Sequence, residues 1–599
     1  MRIRSFRKYL AVVFACMILL APMAGVANED VAKATFAEAV ELIEQARQTD
    51  SLDERWTFYE TARAYLRQIR RSLSGTDLAR RLGDEETTER ALYDNVKREL
   101  LLTGKAVCEQ EFTAACVLRF ARDVHLIIDV VGADEFLVEI SKAQAVAGDI
   151  SGAFESIETI HSFPFRDALP PIMAAMVKRG ELDEALAKAK GLYRRRDRDV
   201  ALSSIVQALA EKGYVADGRG VAAQIGDAGA RSLAVATLAG VSPLDQGGHD
   251  PSALFAEALA LAETVDDAKA RAELLFKIAE IELTVDNIVG ARETLAAAFT
   301  AARAISEPYD RYHVPYVGYW YSKAEISDAA RAVKDEFRKT AAQIDETRNP
   351  IDDVLYDAEA KIKMGDIAAA KESLRQAREI ALKMESATQR SYNLGRVIRV
   401  RALMGDIAGA MADWSLIPLS DKSYSYVREL IARAQAKAGD IEGLNDLLET
   451  IDEQPARHRL LKWKIIPELA KNGWLLDAHR FAGEIDKLAW GYSRAMVAIA
   501  KAESAAGFFD LALRTARSIS TADGRANALS EIAAEHLKKG RASDAKRLLL
   551  MAFRGMFGPN GLPPGEGWDY NSGLFAIGRS DVQAFTNIGG QLAEIETRN

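Results

Sequence analysis

Met364-Gly365-Asp366-Ile367, Met404-Gly405-Asp406-Ile407 and Ala438-Gly439-Asp440-Ile441 are one short motif written three times. Working outward from its glycine gives a cassette that recurs eleven times between Ile140 and Ala552, anchored at Gly148, Gly180, Gly213, Asp286, Ala324, Gly365, Gly405, Gly439, Gly473, Gly507 and Gly540. Five residues after the anchor stands an alanine in nine of the eleven: Ala153, Ala185, Ala291, Ala329, Ala370, Ala410, Ala478, Ala512 and Ala545. Eight residues before it stands an isoleucine in eight: Ile140, Ile172, Ile205, Ile278, Ile431, Ile465, Ile499 and Ile532. Over much of the run the anchors lie 32 to 34 residues apart. A fixed period of that length marks a solenoid, in which each unit buries its apolar face only against its neighbours.

Each recurring residue type has a physical task. Glycine accepts positive φ and so ends a helix, while the aspartate after it can cap the next one. An alanine lets two helix backbones approach. The isoleucines, together with Ile160, Ile225, Ile417, Ile451, Ile485 and Ile519 twelve after their anchors, fill the space between hairpins. Truncating one of them, as in Ile431→Ala or Ile499→Ala, is expected to cost roughly 2–5 kcal/mol.

On these residues the cassette resembles the tetratricopeptide repeat. Its Gly-Asp turn and its alanine five residues on sit where that family places its inter-helix turn and its small crossing residue. The Trp, Tyr and terminal Pro of the full family pattern are mostly absent, so the array is a divergent relative. The resemblance covers about two-thirds of the chain. It implies an all-α fold, a right-handed superhelical solenoid of antiparallel helix hairpins, and a concave groove lined by the first helix of each pair. Such arrays hold partners.

Four segments are expected: a targeting segment (1–27), an N-terminal helical cap (28–135), the repeat array (136–556), and a Gly/Pro-rich loop with a C-terminal capping helix (557–599). In the first, Arg2, Arg4, Arg7 and Lys8 precede an apolar stretch from Tyr9 to Leu20, with Gly25 and Ala27 before a cleavage point. That pattern reads as a secretory signal and places the mature chain in the bacterial periplasm; retention as an anchor, or acylation at Cys16, is the alternative. The cap reads as three helices over 30–48, 52–73 and 76–102, with Asp53 and Thr76 near helix starts. The array is irregular near 239–251, read as a loop or degenerate cassette, and its anchors from Asp286 to Gly405 stand 38, 41 and 40 residues apart. The closing helix is expected over 580–595.

The formal net charge is −9, and removing the four basic residues of the signal makes it −13. A chain so acidic gains nothing electrostatic from nucleic acid, and no second apolar segment reaches membrane-spanning length. Cys108 and Cys116 remain after cleavage. On one continuous helix, eight residues would set them about 12 Å apart, too far for a disulfide; a bridge requires the chain to turn around Glu109 to Phe112, and two buried thiols are the alternative.

Catalytic signatures are missing. There is no phosphate loop, dinucleotide fingerprint, nucleophile elbow or His-Glu-x-x-His pair, the seven histidines are scattered singly, and neither a cofactor nor a metal is expected. Glu503-Ser504, Glu155-Ser156 and Glu372-Ser373 match the dipeptide that some lytic transglycosylases use, but each lies inside a cassette. The aromatic cluster Tyr312, His313, Tyr316, Tyr319, Trp320 and Tyr321 could stack on sugar rings or pack into a neighbouring hairpin. By the resemblance, the position six before the anchor faces the groove. It carries Lys142, Arg399, Arg433 and Lys501, with Tyr392 and Tyr426 thirteen before their anchors on the same surface. These residues suit a protein or peptide partner bearing carboxylates, or form an ordinary solvated face. The expectation is a non-catalytic periplasmic scaffold; the alternative is an enzyme or carbohydrate-binding protein of envelope polysaccharide metabolism.

Overall fold

A computed structural model describes residues 25–84, 86–128, 134–158, 160, 165–241, 251–305, 351–363, 366–418, 423–451, 454–486, 491–558 and 579–598. Among these, all regular structure is helical, and no helix is long and apolar enough to cross a membrane. Residues 1–24 of the signal, Ala324, Ala329, Gly365 and the 312–321 aromatic cluster lie outside the described residues, while Gly25 and Ala27 open the helix Gly25–Gln48.

The anchors behave as their chemistry requires. All nine described ones have positive φ, from 56° at Asp286 to 91° at Gly507. Two backbone bonds then close the first helix: Gly439 N–H donates to Ala436 O (3.3 Å) and Asp440 N–H to Gln435 O (3.0 Å), a pair repeated at Gly148, Gly180, Gly213, Asp286, Gly405, Gly473, Gly507 and Gly540. Both bonds satisfy carbonyls that a helix end leaves open. Where the next residue is Asp it caps the second helix, as where Gly443 N–H donates to Asp440 Oδ1 (3.0 Å) and Gly409 N–H to Asp406 Oδ1 (3.1 Å); Glu181 makes no such bond.

The core is the one the cassette specified. All eight isoleucines before the anchor are fully buried, as are the eight described alanines five after it, and the six isoleucines twelve after it are buried too. First helices stack in order within 137–545: Phe165–Lys178 on Arg195–Glu211, then Ala228–Val241 and Ala268–Thr284; and Ile351–Lys363 on Ala387–Met404, then Ser423–Ala438, Ile466–Lys471, Tyr492–Ala505 and Ala522–Lys538. Second helices such as Ile288–Arg303 and Phe509–Arg517 pair antiparallel beside their own first helix. The chain is an all-α solenoid of helix hairpins.

Several expectations are corrected. Ala239 and Gly240 belong to the helix Ala228–Val241, and Pro251 opens the next, Pro251–Glu263. Ser232 Oγ donates to Ala258 O at 2.6 Å, as Ser141 Oγ does to Ala153 O at 3.0 Å in a regular cassette; the two helices pack as a cassette pair, and residues 242–250 between them lie outside the described residues. Ser51, not Asp53, caps the helix Leu52–Ser72, since Glu54 N–H donates to its hydroxyl. The third N-terminal helix is two, Asp77–Gly83 and Thr88–Gln110, because Thr87 captures Arg90 N–H and starts a new helix. One first helix contains a π-turn, Leu461–Ile465. In α geometry the Pro467 ring would strike the Trp463 carbonyl, and the wider turn relieves that clash.

The largest departure concerns the two ends. Residues 1–136 and 546–599 fall in one compact unit and 137–545 in a second. The C-terminal helix Arg579–Arg598 packs on Ala114–Ile128 of the N-terminal region; the two presumed caps are one body. Its centre is a group of phenylalanines, Phe112, Phe120, Phe553, Phe557 and Phe585, with ring centroids 5.0–5.8 Å apart. Within the same unit the chain turns after Gln110, and Cys108 and Cys116 are joined by a disulfide with Cα atoms 5.5 Å apart.

Candidate partner-binding face

The surface singled out by sequence is carried by the first helices of 351–538. Tyr392 and Tyr426 are 59% and 55% exposed, far above any packed tyrosine. They stand thirteen residues before Gly405 and Gly439 on helices that stack directly, Ala387–Met404 and Ser423–Ala438. Their buried neighbours, Leu394 and Val397 on one helix and Val427 and Ile431 on the other, face the core and turn the tyrosines outward.

The cations six before the anchors are not a bare basic stripe. Arg399 pairs with Glu359, Arg433 Nη2 lies 3.5 Å from Glu468 Oε2, and Lys501 Nζ lies 2.9 Å from Glu531 Oε2, each partner standing on an adjacent first helix. Lys142 pairs with Glu139 one turn away at 2.8 Å. Two further bridges join the ladder: Arg396 to Asp352 at 2.5 Å, and Lys464 to Glu429. The carboxylates occupy no constant offset from the anchors, so a search at one cassette position could not find them. Arg433 and Lys501 keep about half of their side chains exposed; in such a setting an ion pair contributes little stability, roughly 0–1 kcal/mol, and a guanidinium retains donors for a second acceptor.

Sequence reasoning also missed Trp463. It stands at the π-turn, ten residues before Gly473, and the Arg494 guanidinium of the next first helix lies 4.3 Å from its ring centroid. The same helix face therefore presents Tyr392, Tyr426 and Trp463 among cross-helix ion pairs.

The Glu-Ser dipeptides share no common environment: Glu155 and Glu372 are exposed, and Glu503 is not. Glu503 and Ser504 are fully buried, and Glu503 Oε1 is 2.7 Å from His479 Nε2. Glu372 is held down to about 2 by hydrogen bonds from Arg375 and Gln376, the wrong direction for a proton donor. Among the described residues no group of three or more His, Cys, Asp or Glu side chains is placed to hold a metal.

In the other unit a buried polar cluster surrounds Asp123. Trp56 Nε1–H donates to its Oδ2 at 2.7 Å, Arg122 and Arg63 are almost wholly buried beside it, and Glu60 pairs with Arg119 (2.9 Å) and Arg122. Burial, then the Glu60 carboxylate, pushes Asp123 above the ordinary carboxylate range. Every member faces another member or backbone, which makes this an internal tie rather than an open site.

No family model matches the chain, and no curated protein matches it. Among solved structures it is similar to Ton1535 from Thermococcus onnurineus NA1, at 18% identity over 60% of this chain and 97% of that one, with a TM-score of 0.21. It is similar to Naa15/Naa10 bound to HypK-THB at 15% identity, over 89% of this chain and 87% of that one, with a TM-score of 0.27. A circular tandem repeat protein with novel repeat topology aligns at 13% identity, over 95% and 97%, with a TM-score of 0.10. Superpositions this loose carry no argument; the solenoid rests on the helices, turns and core of the chain itself.

Proposed function

We propose that the chain is a non-catalytic scaffold that holds a protein partner against the first-helix face of 351–538. The observation that carries this reading is the pair Tyr392 and Tyr426, two exposed tyrosines at one cassette position on stacked helices. A tyrosine supplies large amphipathic contact area at low entropic cost, as binding surfaces require. Around them, half-exposed cations already turned toward carboxylates suit a partner segment that brings carboxylates of its own, exchanging with Glu468 or Glu531. The N-terminal Arg-rich, apolar segment supports an exported chain working in the bacterial envelope.

Two variants of the full chain test this. Replacing Arg399, Arg433 and Lys501 together by Glu, or Tyr392 and Tyr426 together by Ala, should abolish partner capture in whole-cell cross-linking followed by affinity purification. Helical circular dichroism should not change, because all five side chains lie on the surface. Capture at the parental level by both variants would discard this face.

A further inference from the structure

The second unit carries a different surface at the connection between the helices Leu182–Gly191 and Arg195–Glu211. From 188 to 199 the chain places six cations against two aspartates. Both aspartates are turned inward: Asp197 and Asp199 are buried, and Asp199 accepts Gly226 N–H at 2.9 Å and Asp227 N–H at 3.2 Å. Lys188, Lys190, Arg194, Arg195 and Arg196 are exposed. Lys188 lies over the Phe154 ring, and Arg195 donates to Gly226 O. Among the described residues no carboxylate pairs with Lys190, Arg194 or Arg196. Tyr193, between them, is 97% exposed, the most uncovered large side chain with apolar surface in the described chain.

The start of the helix Arg195–Glu211 differs from several of its counterparts. Asp267, Ser386 and Thr521 cap the first helices that follow them, whereas Arg194 offers the helix Arg195–Glu211 no side-chain cap. Arg194 at the cap and Arg195 and Arg196 in the first turn meet the positive end of the helix dipole, which disfavours them, and Asp197 in the same turn offsets this in part.

We propose that this edge docks on the surface of an anionic phospholipid bilayer, with Lys190, Arg194 and Arg196 among the phosphates and the Tyr193 ring at headgroup depth. Charge complementarity selects an anion, and the exposed ring selects an interface. Tyrosine has an apolar body and a polar tip, and it concentrates at membrane–water boundaries. Among the described residues no buried polar side chain converges here to grip one small anion, and no backbone edge is offered to a peptide. Peripheral docking needs no spanning helix, and screening confines the repulsion of the acidic remainder to about 10 Å.

The test is co-sedimentation of the full chain with vesicles of phosphatidylcholine, alone or mixed with phosphatidylglycerol. Binding should require phosphatidylglycerol and weaken with added salt. At about one tenfold step for each one or two cations removed, the Lys190→Gln/Arg194→Gln/Arg196→Gln variant should partition roughly 100-fold less. A Tyr193→Trp chain should be quenched by brominated lipid beyond the parental level. Failure to sediment with the mixed vesicles, parental partitioning of the triple variant, or retention on immobilised polyglutamate in place of vesicles would overturn the proposal. Because Arg399, Arg433 and Lys501 are untouched, partner capture reports separately on the first-helix face.

Discussion

The rings of Phe120 and Phe585 meet edge to face with centroids 5.0 Å apart, although 465 residues separate them in sequence. Both are fully buried. Glu596 Oε1 accepts Ala114 N–H at 3.0 Å in the same unit, so the start of one helix is capped by the last turn of another. The body that opens the chain is incomplete without the segment that ends it.

Phe585→Ala should therefore destabilise this unit by about 3–5 kcal/mol. A milder probe is Gly589→Ala, whose new Cβ would lie 2.5 Å from Leu118 Cγ and should cost about 1–3 kcal/mol by overpacking. Limited proteolysis with fragment mapping reads both: early cleavage should appear between residues 25 and 128, while 137–545 stays resistant. Unaltered resistance of the N-terminal helices would show that they stand alone.

Gly439 and Gly473 share a cassette position and a positive φ, 73° and 88°, but not an environment. A Cβ at Gly473 meets nothing within 4 Å, whereas one at Gly439 would lie 2.2 Å from the Trp474 ring. Gly473→Ala should cost only the backbone conformation, about 1–2 kcal/mol. Gly439→Ala should cost at least about 1 kcal/mol more. In a Trp474→Ala background the two should become equal by denaturant unfolding. A persistent difference there would mean that the ring is not the obstacle.

The contrast shows what was legible. The anchor could be read because few residues tolerate positive φ, and the isoleucine and alanine could be read because burial at a fixed crossing admits few shapes. A second recurring device was invisible because its geometry is constant while its residues change. Four before, one after and eight after the anchor, polar side chains meet: Gln144 with Asp149 and Ser156 (3.5 and 2.6 Å), and Arg401 with Asp406 and Asp413 (2.6 and 2.9 Å). The trace it leaves is correlated. A polar residue at the first position accompanies Asp or Asn at the second in five cassettes, as in Gln435 with Asp440, and Leu209 and Leu469 accompany Tyr214 and Trp474, but Glu503 stands with Phe508 and His536 with Arg541. The cross-helix ion pairs and the phenylalanine cluster left no local trace, since both join residues whose spacing only the fold sets.

Joining Cys108 to Cys116 closes a loop of about nine residues, for which the chain-entropy relation gives about 2.5 kcal/mol. Cys108 is fully buried in the unit that holds Phe120 and Phe585. Reduction, or Cys108→Ser/Cys116→Ser, should lower the stability of that unit by this order and leave the array unchanged. Differential scanning calorimetry with and without reductant distinguishes the two transitions; identical thermograms would mean that the bridge constrains nothing.

Glu282 occupies the position that Gln144 and Gln435 hold in their cassettes. It is 1% exposed, and Asn287 Nδ2 donates to its Oε1 at 3.2 Å. Burial raises its carboxyl to about 7, outweighing the opposing hydrogen bond from Thr294. A carboxyl raised on folding binds its proton more tightly in the native state. Its contribution is therefore complete below the unfolded value near 4.5 and is lost as pH climbs through about 7. The parent should lose stability between pH 5 and pH 8, by up to about 3 kcal/mol. Glu282→Gln keeps the acceptor for Asn287 and carries no charge, so the midpoint of the 137–545 transition should vary less with pH than the parent's across that window and exceed it at pH 8. Two parallel pH profiles would show that the carboxylate is solvated or paired in the native array. A variant less stable than the parent at every pH would instead mean that the ionised group makes a bond that glutamine cannot replace.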